Sequence, residues 1–202
     1  MNINKMKLCV FLDNGHGCNT KGKCSPDKSI LEYKWCREIV CMIHNELMKI
    51  GVPTFIVTPE QSDISLNERV RRINKEYNNR KKQGYQCILL SIHINAAGCD
   101  GKWYTASGWT GWVSKNASKN SKRMAQLLYD EAENLELKGN RWVPNERYWQ
   151  ANYKILHDSN CPAVLTENMF QDNKEDVKFL LSKEGKEKIV KVHIEAIKKY
   201  MK

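Results

Sequence analysis

An alternation restricts the fold of this 202-residue chain more than any other feature. Short apolar runs are separated by long amphipathic stretches. Leu8 to Leu12 reads as a buried strand. A helix follows from about Ser29 to Ile50, with Ile30, Trp35, Ile39, Ile43 and Leu47 on one face and Gly51 as its stop. Val52 to Val57 is the next strand. Ser65-Leu66-Asn67-Glu68 has the capping-box form and opens a second helix, with a thin apolar face of Leu66, Val70, Ile73 and Tyr77 that ends at Gly84. Cys87 to Ile94 is another buried strand. A loop and a short aromatic strand fill Ala97 to Ser114, and a third helix runs from about Lys119 to Glu133. Leu137 to Gln150 is irregular, Pro162 to Thr166 is a strand, and two short helices close the chain after Asn173. Strands alternating with helices predict an α/β fold, a three-layer sandwich with a largely parallel central sheet flanked by helices.

Such sheets place ligands at the carboxyl ends of their strands. Three strands end in polar residues: Asp13 to Gly17, His93 to Asn95, and Glu167-Asn168. In Asp13-Asn14-Gly15-His16-Gly17 the glycines let the backbone take unusual angles, so the imidazole can be aimed into a crevice. A turn that merely contains histidine reads the same way. His93 is flanked by isoleucines, where a lone histidine is usually a hydrogen-bonding core residue. Two histidines at adjacent strand ends can share one ion, and zinc commonly takes His with Glu or Asp as third ligand. Glu32 is the natural third ligand. Ser29-Ile30-Leu31-Glu32 is also a capping-box pattern, and spacing does not separate these readings. Glu167 closes an apolar strand, where a carboxylate is costly to bury unless something holds it. Beside an ion and its water it can act as general base and then acid; a half-exposed strand-end carboxylate is the alternative. The helical motif H-E-x-x-H is absent. His44, His157 and His193 read as surface or packing residues.

Length fits one domain, residues 1–202, since single cores grow to ~250 residues. The net charge of +10 fits either a polyanionic partner or a basic surface that aids solubility. The lysines and arginines are scattered, and no nucleic-acid partner is expected. None of the eight cysteines forms a C-x-x-C pair, which argues against a zinc ribbon. Reduced thiols and synthesis in a reducing cytoplasm are expected. The opening residues lack the length and cleavage site of a signal peptide. No run reaches the ~18 apolar residues of a membrane span. A monomer is expected.

Taken in order, these stretches resemble the zinc-dependent N-acetylmuramoyl-L-alanine amidases, cell-wall hydrolases whose domain is a compact α/β sandwich. The resemblance runs from about Lys7 to Met201. It rests on Leu12-Asp13-Asn14-Gly15-His16-Gly17, on Glu32 with Arg37-Glu38-Ile39 behind it, and on Ser65-Leu66-Asn67-Glu68-Arg69-Val70 with Asn74. It continues through Ser91-Ile92-His93-Ile94-Asn95-Ala96, Cys161 to Phe170, and the stretch holding Asn173, Glu175 and Asp176. The resemblance implies one zinc per chain on His16, Glu32 and His93, with Glu167 as the catalytic carboxylate. It implies cleavage of the amide between N-acetylmuramic acid and L-alanine in peptidoglycan. The chain departs from the family at Asn14 (usually proline or alanine) and at Cys36 (often asparagine). It departs again at Asn168-Met169, where a small or apolar residue and glycine are usual.

The segment from Leu137 to Gln150 departs most. Arg141, Trp142, Arg147, Tyr148 and Trp149 can line a substrate groove together with Asn95, aromatics stacking on sugar and arginines meeting stem-peptide carboxylates. They fit a packed loop equally well. Most amidases of the class carry an export signal or a wall-binding module. Their absence here points to a phage- or prophage-type endolysin, cytoplasmic at synthesis and acting on the wall after release. Two rival readings stand beside this one: a zinc peptidase cutting within the stem peptide, and a non-catalytic basic wall-binding module.

Overall fold

In the computed structural model, residues 6–202 are described. The first strand, β1 (Leu8–Asn14), is buried at every position. That is what a continuous apolar run requires when both faces of a parallel strand are covered. Two parallel neighbours flank it, β2 (Thr54–Ile56) and β3 (Gln86–Asn95). Parallel neighbours need crossovers, supplied by helices α1 (Glu32–Lys49) and α2 (Leu66–Lys82). The sequence expectation began α1 at Ser29. The helix starts three residues later because Ser29 spends its hydroxyl on Asp27 and caps nothing. Gly51, at φ +75°, takes the left-handed position that ends α1, as expected. Ser65 accepts from the Glu68 N–H and caps α2.

Beyond β3 come β4 (Thr110–Val113), α3 (Lys119–Asn134), the two-residue β5 (Trp149–Gln150), α4 (Lys154–His157) and β6 (Ala163–Phe170). Two closing helices follow, α5 (Lys174–Leu181) and α6 (Lys183–Tyr200). Sequence reading expected both to be short. The second has 18 residues, because Ile189, Val192, His193, Ala196, Ile197 and Tyr200 give it a long buried face. The sheet order is β2-β1-β3-β6-β4-β5. All pairings are parallel except that of β4 with β6. The expected sandwich with a largely parallel sheet is therefore the observed architecture.

Its two faces differ. One is covered by α1, α3, α5 and α6, whose Ile39, Ile43, Leu128, Leu180 and Ile197 join the larger core. The other is covered by α2 and the four-residue α4 over Phe11, Leu89, Ile73 and Ile155. Each fully buried aliphatic side chain contributes ~1.5–3 kcal/mol, so the first face holds most of the folding energy. The second face is thin, and a cleft opens there at the strand ends.

Candidate metal centre and catalytic cleft

Pairing register brings the site together. His93 on β3 lies directly opposite Glu167 on β6, so both side chains leave one face of the sheet. The register shifts after that pair, and two residues on Asn95 pairs with Phe170. The extra residue makes a β-bulge in which Met169 sits at φ +64°. This is where the family usually carries glycine, the residue that takes that conformation most cheaply. Asn168 stabilises the same bulge. Its Nδ2 donates to the His93 carbonyl at 2.9 Å, and its Oδ1 accepts from Trp109 Nε1 at 3.0 Å.

His16 follows the end of β1, and its own backbone is left-handed at φ +59°. The flanking glycines were expected to take the unusual angles. They serve close approach instead. A Cβ on Gly15 would stand 2.5 Å from the His93 ring, and one on Gly17 would stand 1.9 Å from the Asp63 backbone. Two arginines fasten the turn. Arg37 and Arg69 both donate to the His16 carbonyl, at 3.1 and 3.2 Å. Arg69 also reaches the Asn14 carbonyl at 2.6 Å and Asp13 Oδ1 at 2.9 Å, while Ser91 donates to Asp13 Oδ2 at 2.7 Å. Asn14, where the family usually has proline or alanine, is bonded both ways to Thr58.

Glu32 resolves the choice left by its spacing. Its side chain is 1% exposed and points to the histidines, not back to a helix cap. Oε1 accepts from the Ile94 N–H at 3.1 Å and lies 3.0 Å from His93 Nδ1 and 3.5 Å from His16 Nε2. Oε2 is buried with no partner. The rings of His16 and His93 stand 5.0 Å apart at 88°. Ligand atoms of His16, Glu32 and His93 all fall within 4.8 Å of one another, a group able to hold a divalent metal ion. Two imidazoles and a buried carboxylate with an unspent oxygen are a donor set that fits zinc.

The charges follow from these contacts. Burial pushes the His16 ring down to about 4, so it is neutral, the form that ligates. Burial alone would raise Glu32, but the bond from His93 and the positive charges of His93 and Lys23 outweigh it and hold the carboxyl below its ordinary value. Burial pulls His93 down, and its bond to Glu32 with the Glu32 charge more than reverses this. Glu167 is pushed up to about 7. Burial raises it, His93 opposes that, and the Glu32 carboxylate adds to it. Its Oε2 is buried and has no partner. A carboxyl poised near neutrality beside a metal-binding group can both take and give a proton.

These residues open into a cleft of about 430 Å³, lined by His16, His93, Glu167, Leu66, Tyr153 and Lys23 among others. Sequence reading did not single out Tyr153 or Lys23. Lys23 sits in a loop with no periodicity, and only the backbone bond from Glu32 N to its carbonyl ties it to the site. The six residues expected to touch substrate lie elsewhere. Asn95 ends β3, where its Oδ1 accepts from Ala96 N. Arg147 pairs with Asp130 and Glu133 and lies over the Tyr129 ring. Tyr148 is in the core, and half-buried Trp149 sits 6.0 Å from Trp112. Arg141 lies over Phe170, and Trp142 is 75% exposed. None of the six lines the cleft.

Among known families, the profile of N-acetylmuramoyl-L-alanine amidases matches residues 10–199. The endolysin of Bacillus phage SPP1 is 26% identical over 198 residues, covering 95% of this chain and 65% of the relative. An N-acetylmuramoyl-L-alanine amidase of Bacillus licheniformis is 23% identical, covering 91% and 65%. The chain thus spans 65% of the length of the curated relatives it matches. A crystal structure of an N-acetylmuramoyl-L-alanine amidase from Clostridium difficile 630 superposes with a TM-score of 0.80 at 23% identity, covering 96% of each chain. The catalytic domain of the amidase CwlV from Bacillus (Paenibacillus) polymyxa does so at 0.77 and 19% identity, covering 97% of this chain and 98% of that one. At these identities the superpositions establish a shared fold.

Proposed function

The chain belongs to the N-acetylmuramoyl-L-alanine amidase family, and from that membership we propose that it hydrolyses the amide joining N-acetylmuramic acid to L-alanine in peptidoglycan. In this reading His16, Glu32 and His93 hold one zinc ion, and Glu167 is the general base. The observation that carries it is the convergence of His16, Glu32 and His93 within 4.8 Å, with Glu167 directly across the sheet pairing from His93. Zinc supplies Lewis acidity, making water a nucleophile near neutral pH and polarising the amide carbonyl.

Glu167 performs the proton chemistry. As a carboxylate, its Oε2 takes the proton of the attacking water. As a carboxylic acid, it holds that proton while the tetrahedral carbon forms and then gives it to the departing alanine nitrogen. Without that transfer the leaving group would be an amide anion, which is far too basic to depart. Asn168 and the Met169 bulge keep His93 and Glu167 in register. Arg37 and Arg69 keep His16 aimed at the same point.

The test compares wild type with Glu167→Gln on purified peptidoglycan and measures metal content in both. We expect about one zinc per chain in each protein. Wild type releases stem peptides with a free L-alanine amino terminus, and the variant is slower by roughly 10²–10⁴-fold. Products cut within the stem peptide would replace the amidase reading with a peptidase one. Equal release by both proteins would remove Glu167 from the chemistry. A lytic role in a phage or prophage programme is supported by the likeness to the SPP1 endolysin. It predicts that cells making the protein lyse only after their membrane is permeabilised, and lysis without permeabilisation would exclude it.

A further inference from the structure

The chemistry above leaves a second groove unused. It has a volume of about 570 Å³ and meets the metal cleft at Lys23, which lines both. Lys21, Lys28 and Lys102 join Lys23 in its walls. Lys102 pairs with Asp100 at 3.1 Å, whereas Lys21, Lys23 and Lys28 enter none of the ion pairs found among the described residues. Asp172 is the one carboxylate in the lining, and its Oδ2 already accepts from the Ala97 and Gly98 N–H groups at 2.8 and 2.9 Å. Two further acceptors remain unspent. Gln171 Oε1 and Asp172 Oδ1 belong to side chains 3% and 5% exposed, and neither has a partner. Buried acceptors left so are costly, and both side chains line the groove, so a ligand whose N–H groups they turn to meet recovers that cost.

The groove therefore asks for two things at once: negative charge for the lysines and N–H donors for the acceptors. A peptide chain bearing free carboxylates supplies both. The metal cleft across Lys23 is different in kind. Leu66, Ile155, Leu165 and Tyr153 line it, and Tyr153 lies 5.6 Å from Trp112. That apolar and aromatic wall suits the uncharged faces of sugar rings. In the proposed substrate the scissile amide joins a largely uncharged glycan to an acidic peptide.

We propose that the lysine groove is the stem-peptide subsite, with Lys21, Lys23 and Lys28 meeting peptide carboxylates and with Gln171 and Asp172 accepting from peptide N–H groups. This rests on the amidase reading for the orientation of substrate across Lys23. It makes the enzyme selective for stem peptides whose D-glutamyl carboxylate is free over those in which it is amidated.

Calorimetry tests it on the zinc-loaded protein, with L-alanyl-γ-D-glutamyl-L-lysine and its D-isoglutaminyl twin as probes. Wild type should bind the free carboxylate about tenfold more tightly. Lys21→Gln combined with Lys28→Gln changes only exposed side chains, so the fold is kept. That variant should lose about the same tenfold for the carboxylate peptide and nothing further when the peptide is amidated. Equal affinity of wild type for the two peptides, or a double variant that binds like wild type, overturns the subsite. Hydrolysis of a muramoyl tripeptide, assayed beside the binding, separates the two readings. Charge-selective binding without hydrolysis supports the groove and sinks the amidase reading, and hydrolysis without charge-selective binding does the reverse.

Discussion

The two ends of the sheet are built on different terms. On one side β2, β1 and β3 run parallel, and the turn after β1 is fixed by charges taken out of water. Arg69 is 3% exposed and Asp13 is 1% exposed, and their pair carries the backbone of Asn14 and His16. On the other side β4 and the two-residue β5 are joined through α3 and an irregular segment held at its surface. Arg147 there pairs with Asp130 and Glu133, all of them partly exposed. A buried ion pair cannot lose one member cheaply, whereas water readily replaces a partner at the surface. His16, Glu32 and His93, the group able to hold a divalent ion, all belong to the first side. The lesson is that precision in the site comes from buried polar groups with no alternative partner.

The strongest way to break this comparison is Arg69→Met. It leaves the Asp13 carboxylate buried and unpaired and removes two of the bonds to the turn. Stability should fall by about 3–5 kcal/mol in urea unfolding. Affinity of the His16, Glu32 and His93 group for a divalent metal should fall with it, because His16 loses a support of its carbonyl. Adding Asp13→Asn removes the stranded charge, so the double variant should cost less than the sum of the two single changes. A loss under about 1 kcal/mol from Arg69→Met would mean that the turn holds itself.

The seam between the two sides gives the next effect, one read through pH. His193 on α6 is fully buried behind β6, with Nε2 3.1 Å from Thr166 Oγ1 and Nδ1 2.8 Å from the Ile189 carbonyl. Burial pushes it down to about 4, with the Ile189 bond opposing this. The unfolded chain takes up a proton as pH falls through about 6.5, and the native state does not until about 4. The share of stability that rests on a neutral His193 is therefore whole above about pH 6.5 and is lost across that window, by about 3 kcal/mol at its foot. His193→Gln should flatten the part of the curve between pH 6.5 and 4. If the slope of stability against pH is unchanged in that variant, His193 is not the group responsible.

How much of this was legible in the sequence follows the same division. β1, β3, β6 and α1 could be read because buried strands are unbroken apolar runs and α1 carries a strong 3.6-residue stripe. The four residues for which we propose chemical roles stood out because each lies at or near the end of such an element. Glu32 could not be decided by spacing, since a capping box and a metal ligand ask for the same residue at the same place. Only the position of its carboxylate between two imidazoles separates them. The turn glycines were legible as necessary but not for the right cause, because clearance from the His93 ring is a tertiary fact. Lys23 and Tyr153 escaped because loops carry no period. The segment from Leu137 to Gln150 escaped for the same reason, and its aromatic and basic content pointed equally to a groove and to a packed loop.

Three smaller effects sharpen the contrast within that second side. Trp109 is fully buried, and its Nε1 donates to Asn168 Oδ1, the contact that reaches the bulge beside Glu167. Trp109→Phe keeps most of the ring but leaves that oxygen without a donor, for a loss of about 1–3 kcal/mol in thermal unfolding. Arg147→Ala removes two partly exposed pairs and a contact with the Tyr129 ring. It should cost about 1 kcal/mol or less, and the loss should shrink in added salt. Trp142→Ala, at a side chain 75% exposed, should stay within ±0.5 kcal/mol. If Trp142→Ala left stability untouched but raised the KM for peptidoglycan, the segment would be a substrate contact laid over a scaffold that does not need it. If Arg147→Ala proved as costly as Arg69→Met, exposure would not be what separates the two sides.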